Sequence, residues 1–159
     1  MTDMLVRLYD LPPAAPLLQR LAAGGIVCRR PEAYERSAVL AFVRTHFPQW
    51  ADEAAVALSR APATCYVAAY GDQVVGFACF HAARPNFFGP TGVAEAYRRR
   101  GIGAALLLCC LHAMAAEGYA YAIIGGVGPA AFYERVAGAI VIPGSEPGIY
   151  RNRLQLPGG

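Results

Sequence analysis

The order of elements predicts an α+β fold in three layers, with helices on both faces of a mixed, mostly antiparallel sheet that holds a central parallel pair of strands. Three observations carry this reading. Gly71-Asp72 links two β-rich runs, 64–70 and 73–82, and so short a glycine-bearing link makes antiparallel neighbours. Residues 87–93, 101–116 and 119–124 read as strand, helix and strand, and a right-handed crossover of that kind leaves its two strands parallel. The helix between them is apolar nearly all round, as a segment covered on every side must be.

The remaining elements each carry a local signal. Residues 4–9 read as a short strand, Leu11-Pro12-Pro13 as a break, and 14–23 as a helix stopped by Gly24-Gly25. On this reading the chain is one domain, 1–159, in which 1–24 is an N-terminal extension. After a strand at 26–29, Pro31 opens a helix with Ala33, Tyr34, Ser37, Ala38, Ala41, Phe42 and Thr45 at helical spacing, ending near Phe47-Pro48. An aromatic, kinked link, Phe47-Pro48-Gln49-Trp50, leads to a second helix over 51–59. Within 87–93, Gly89, Pro90 and Gly92 would be odd in a continuous ladder, so a bulge or a parted edge is expected there. Gly118 stops the long helix, Pro129 starts another that runs to Ala137, and Gly138 stops it. Strands at 139–142 and 149–156 close the sheet as a pair, and the tail 157–159 should fray.

Composition narrows the function classes. A chain that is 56% hydrophobic and 16% charged describes a packed globular domain. The net charge of +3 is too small to argue for a nucleic-acid partner. Cys28, Cys65, Cys79, Cys109 and Cys110 include no Cys-x-x-Cys pair, so no metal site is expected, and Cys79, Cys109 and Cys110, in apolar strand or helix contexts, read as small hydrophobes rather than nucleophiles. Met1-Thr2-Asp3-Met4 does not begin a secretory signal, and the apolar run 102–111 is far short of the roughly 20 residues of a membrane span. A cytoplasmic protein without a membrane partner is expected.

The chemistry concentrates where strand 87–93 turns into the long helix. Arg98, Arg99 and Arg100 lead into Gly101, Ile102, Gly103 and Ala104, and a helix opening there leaves free N–H groups converging on one spot. That spot favours an anion, because the helix dipole places about half a positive charge on it and guanidinium groups chelate phosphate oxygens. A Walker loop is excluded, since Ile102 and Gly103 stand where Lys and Ser/Thr would follow Gly101. A dinucleotide fingerprint needs a third glycine where Leu106 stands.

What remains, Arg98-x-x-Gly101-x-Gly103, resembles the pyrophosphate loop of the GNAT superfamily of acetyl-CoA-dependent N-acetyltransferases. Phe132-Tyr133 followed by Gly138 is similar to that family's second motif, and the order of elements from Ile26 onward resembles its fold. The resemblance implies a sheet whose central parallel pair is splayed at the cofactor site, with acetyl-CoA as co-substrate. It implies that the Val93 backbone pairs with the pantetheine arm and that residues Arg98, Arg99, Arg100, Gly101, Ile102, Gly103 and Ala104 hold the pyrophosphate. Tyr133 would be the general acid, because a phenol held within hydrogen-bond reach can protonate a departing thiolate. The reaction implied is direct attack by an amine of a small molecule or peptide in a ternary complex, with no acyl-enzyme. The acceptor would lie between the first two helices, around Tyr34, Phe47 and Trp50, and the last strand pair.

Departures from the family pattern have consequences. Gly126 stands where many members carry an asparagine, so that side-chain contact with the cofactor is lost; Glu95 replaces a proline and Ala139 a phenylalanine. A general base for the amine is not singled out among Glu35, Asp52, Glu53 and His81. His112 reads as a polar tip on the core helix and His46 as surface. Two other functions are weighed. A non-catalytic acyl-CoA-binding or sensing module would bind the cofactor without turnover. Nucleic-acid binding through Arg98 to Arg100 is disfavoured because no aromatic residues interleave the triplet. A homodimer is compatible with the reading.

Overall fold

Chain order in the computed structural model, which describes residues 1–158, is β1 Met4–Arg7, α1 Ala15–Ala23, β2 Ile26–Arg29, α2 Arg36–His46, α3 Ala51–Leu58, β3 Cys65–Tyr70 and β4 Gln73–Phe80. It continues through β5 Phe87–Val93, α4 Ile102–Ala116, β6 Tyr121–Ile124, α5 Ala130–Ala137 and β7 Ile140–Val141. Gly159, at the end of the tail expected to fray, lies outside the described residues.

The strands form one mixed sheet in the order β2-β3-β4-β5-β6-β1-β7, antiparallel except for β5 beside β6. The sheet separates two apolar layers because its strands alternate. On β4, Ala78 and Phe80 face the cluster built on α1, α4 and α5, whereas Phe77 and Cys79 face the cluster built on α2 and α3. Helix α4 lies against β3, β4 and β5 with α1 also packed on it, and Ile102, Leu106, Leu107, Leu111 and Met114 are fully buried. Each such side chain contributes about 1.5–3 kcal/mol of burial, which explains why a helix without a polar face is stable here.

Two features differ from the sequence reading, and they have one cause. Residues 4–7, read as part of an extension, supply an interior strand: β1 pairs antiparallel with β6 from Met4 opposite Ile124 to Arg7 opposite Tyr121, and on its other edge Met4 and Leu5 pair with Val141 and Ile140. The expected closing pair of strands is therefore corrected. Residues 149–156 form no strand; Gly148–Tyr150 is one 3-10 turn, and the rest is irregular. Met4 and Val6 bury completely on one face of β1, while Arg151, Asn152, Arg153 and Gln155 offer the core nothing, and Leu154 and Leu156 stay exposed. Asp3 locks this arrangement. Its carboxylate accepts the Gly126 N–H at 2.8 Å, its own N–H donates to Ser145 Oγ at 2.8 Å, and its carbonyl accepts from Ile142 at 2.9 Å.

Candidate active site

The parallel pair is short. Only Phe87 and Phe88 of β5 pair with Ile123 and Ile124 of β6, and beyond a 3.5 Å contact from Gly125 N–H to the Phe88 carbonyl the two strands part. The parted edge expected from Gly89 and Pro90 is thus present, and it opens a cleft of about 980 Å³. It is lined by Val93 and the start of α4, by the 125–129 loop and α5, and by Phe47, Trp50, Glu53 and Tyr150.

Backbone geometry decides what β5 offers to this cleft. Ala94 N–H donates to the Val75 carbonyl at 2.9 Å, which sets the phase of the antiparallel ladder with Gly76 opposite Val93. Alternation then turns the backbone groups of Thr91 and Val93 away from β4, towards the opening. The Val93 carbonyl accepts Arg98 Nε at 3.1 Å, so its N–H is the group left to offer. The same bond fixes the arginine turn against β5.

At the head of α4 the first internal helical bond runs from Ala105 N–H to the Gly101 carbonyl at 3.0 Å, leaving the amides of Ile102, Gly103 and Ala104 without helical acceptors. Gly101 takes φ 87°, a conformation glycine adopts at no steric cost, and Arg99 takes φ 65°. Left-handed residues of this kind curl successive amides into an anion-binding concavity. Gly103 leaves the approach open: a Cβ there would come no nearer than 3.8 Å to Phe132 Cζ and 3.9 Å to Val93 Cγ2. These features suit a diphosphate. Arg98, Arg99, Gly101, Ile102, Gly103 and Ala104 all line the cleft. Arg100 is placed outside it, its guanidinium 4.9 Å from the Tyr97 ring and bonded to the Ala96 carbonyl at 3.4 Å.

Tyr133, on α5, lines the cleft and is only 7% exposed. Phe88 and Phe132 pack edge-on against its ring at 6.3 and 5.1 Å. Burial among them pushes its phenol above the ordinary value, so it remains a proton donor at every neutral pH, and its hydroxyl has no hydrogen-bond partner among the described residues.

The four acids and bases weighed in the sequence separate clearly. Glu35 caps the turn before α2 and pairs with Arg29 through two 2.7 Å bonds; the guanidinium first, and the Glu32 amide second, hold it down to about 2. His81 is buried as a brace. Its Nδ1 accepts the Asn86 N–H at 3.0 Å, which leaves the proton on Nε2, 2.7 Å from Glu117 Oε2 at the end of α4. Asp52 is exposed and does not line the cleft. Glu53 does line it, and burial raises its carboxyl, with Arg153 opposing and Asp52 adding.

The structure divides the three aromatic residues expected beside the acceptor. Phe47 and Trp50 stack at 5.4 Å and 23° and line the cleft, but Tyr34 is 86% exposed and does not. Tyr150 was missed, because 149–156 read as a strand; its hydroxyl instead reaches within 2.9 Å of where a Gly125 side chain would begin. The signal available was Pro147-Gly148 directly before it, a turn dipeptide rather than a strand start. None of the five cysteines lines the cleft, and burial pushes Cys28 up to about 12 and raises Cys109 and Cys110, as befits inert thiols. Among the described residues no helix is long and apolar enough to cross a membrane, and no group of three or more His, Cys, Asp or Glu side chains is placed to hold a metal ion.

A sequence model of the acetyltransferase (GNAT) family matches residues 29–139. No curated protein matches the chain significantly. Among solved structures, the chain is similar to the GCN5-related glucosamine N-acetyltransferase region of a fungal multi-domain GH3 β-N-acetylglucosaminidase, with TM-score 0.74 and 19% identity over 89% of this chain and 19% of that one. A GCN5-related N-acetyltransferase from Sphaerobacter thermophilus gives 0.68 and 21% over 89% and 48%. The chain therefore spans less than half the length of either. A GNAT acetyltransferase from Brucella melitensis, solved with acetyl-CoA, gives 0.55 and 20% over 74% of this chain and 86% of that one. At these identities the structures establish the fold, a mixed α+β sheet of the GNAT type.

Proposed function

We propose that this chain, which belongs to the GNAT family of acetyltransferases, moves an acetyl group from acetyl-CoA to an amine of a small molecule or peptide by direct attack in a ternary complex. The observation that carries the reading is the conjunction of the free Ile102, Gly103 and Ala104 amides with the unpaired edge of β5 on one cleft. Acetyl-CoA would supply the activated thioester. The amides at the head of α4, with Arg98 and Arg99, would hold its diphosphate, and the Val93 N–H would pair with its amide arm as a strand edge pairs with an added strand. Tyr133 would give its proton to the departing sulfur. Residues 1–159 act in this reading as one acyltransferase domain in the cytoplasm.

The test is thiol release from acetyl-CoA across a panel of amines. Wild-type protein should release thiol with at least one amine, Tyr133→Phe should bind CoA but turn over slowly, and Gly103→Glu should not bind CoA. Tight CoA binding without turnover on any amine, unchanged in Tyr133→Phe, would instead identify a sensing module.

A further inference from the structure

Two carboxylates line the cleft, Glu53 and Glu146. Glu146 sits on the rim with its side chain 60% exposed. Glu53, on the first turn of α3, is half-buried and makes no hydrogen bond or ion pair among the described residues. It shares the cleft lining with the stacked Phe47 and Trp50 rings, and the charged or titratable groups near it are Tyr150 and Arg153 from the C-terminal segment, Asp52 beside it, and the buried Cys79 on β4. Arg153 offsets part of the Glu53 charge without closing an ion pair on it, so a carboxylate drawn out of water keeps unused hydrogen-bonding capacity, and aromatic rings on the same cleft favour cations over anions. Both features are met by a cation from outside the chain.

We propose, resting on the acetyltransferase reading, that Glu53 receives the ammonium group of the acceptor and takes its proton, so that the acceptor class is a primary amine that is a cation at neutral pH, entering by way of the Phe47 and Trp50 rings. The ammonium proton passes to the carboxylate. The freed lone pair forms the C–N bond to the thioester carbonyl carbon, the C–S bond breaks, and the sulfur takes the Tyr133 phenol proton. The phenolate is refilled by the second proton that the nitrogen sheds on becoming an amide, and Glu53 loses its own to solvent. An amine that is already neutral at pH 7 has no need of the first transfer.

The experiment compares benzylamine, a cation at neutral pH, with aniline, which is neutral, in wild type, Glu53→Gln and Glu53→Asp. Glu53→Gln should lower kcat/KM for benzylamine about tenfold or more, with KM for benzylamine rising, and abolish the acid limb of the pH profile; KM for acetyl-CoA should hold, and the rate with aniline should fall less than that with benzylamine. Glu53→Asp should restore part of the benzylamine activity. The fold should survive. A carboxyl raised by burial favours folding most below the ordinary glutamate value and loses that contribution as pH rises through its folded value, so removing the charge at pH 7 does not lower Tm. Unchanged benzylamine KM and pH profile in Glu53→Gln overturn the proposal. The acetyltransferase reading fails separately only if wild type turns over no amine of the wider panel, and calorimetry of benzylamine on CoA-loaded protein then decides the anchor: weaker binding to Glu53→Gln supports it, equal binding overturns it.

Discussion

Replacing Gly103 by alanine should improve folding and impair cofactor binding in the same molecule. The added Cβ meets Phe132 Cζ at 3.8 Å and Val93 Cγ2 at 3.9 Å, ordinary contacts that require no movement. Alanine in place of glycine in a helix gains about 0.5–1 kcal/mol, which in a chain of this size raises Tm by about 1–4 °C. Phe132 and Val93 both line the cleft, so the new methyl stands in the opening through which a diphosphate reaches the helix amides. Losing one hydrogen bond to a charged group costs about 1.5–3 kcal/mol, so CoA affinity should fall roughly ten- to a hundredfold. Calorimetric titration with CoA and thermal unfolding of one preparation read both numbers. Alanine that binds CoA within about twofold of wild type would refute the argument that phosphate approaches this backbone.

Other outcomes follow from the same geometry. Gly92→Ala would place a Cβ 2.6 Å from two atoms of the Phe47 ring, so the ring must shift off Trp50; stability should fall by about 1–3 kcal/mol and acceptor KM should rise while CoA affinity holds, as denaturation and steady-state kinetics would record. Thr64 Oγ1 is buried without a partner among the described residues, so Thr64→Val should leave stability unchanged or raise it by up to about 1 kcal/mol; a clear loss in urea denaturation would reveal a bond to the hydroxyl. Tyr133→Phe should lower kcat about 10²- to 10⁴-fold with CoA affinity intact. Because burial raises this phenol, its neutral form is favoured below pH 10 and the fold loses that contribution only as pH rises through the folded value, so wild-type kcat should show no limb from Tyr133 at neutral pH.

The end of the cleft at the head of α4 was legible because its parts are consecutive. Gly101 and Gly103 mark a helix start, and Gly89 and Pro90 mark the strand that cannot stay paired, so local chemistry alone aims the amides. The acceptor end was not legible in that way. Glu53, Gly125 and Tyr150 meet only because β1 takes the place beside β6 and frees the C-terminal segment to fold over the fork. Whether Met4 and Val6 or residues 149–156 would win that place depends on which run buries better across the whole sheet. Likewise Glu35, Asp52, Glu53 and His81 look equivalent along the chain. Tertiary packing gives Glu35 its arginine and His81 its glutamate, whereas Glu53 gains no hydrogen bond or ion pair among the described residues, only the more distant charge of Arg153.

The central claim is that the head of α4 grips a diphosphate. Titrating CoA into ¹⁵N-labelled protein while following backbone amides tests it most directly. The largest shifts should fall on Ile102, Gly103 and Ala104, with Val93 moving in step at the same CoA concentrations. Saturable binding that leaves those four amides unmoved and shifts residues elsewhere would contradict the account.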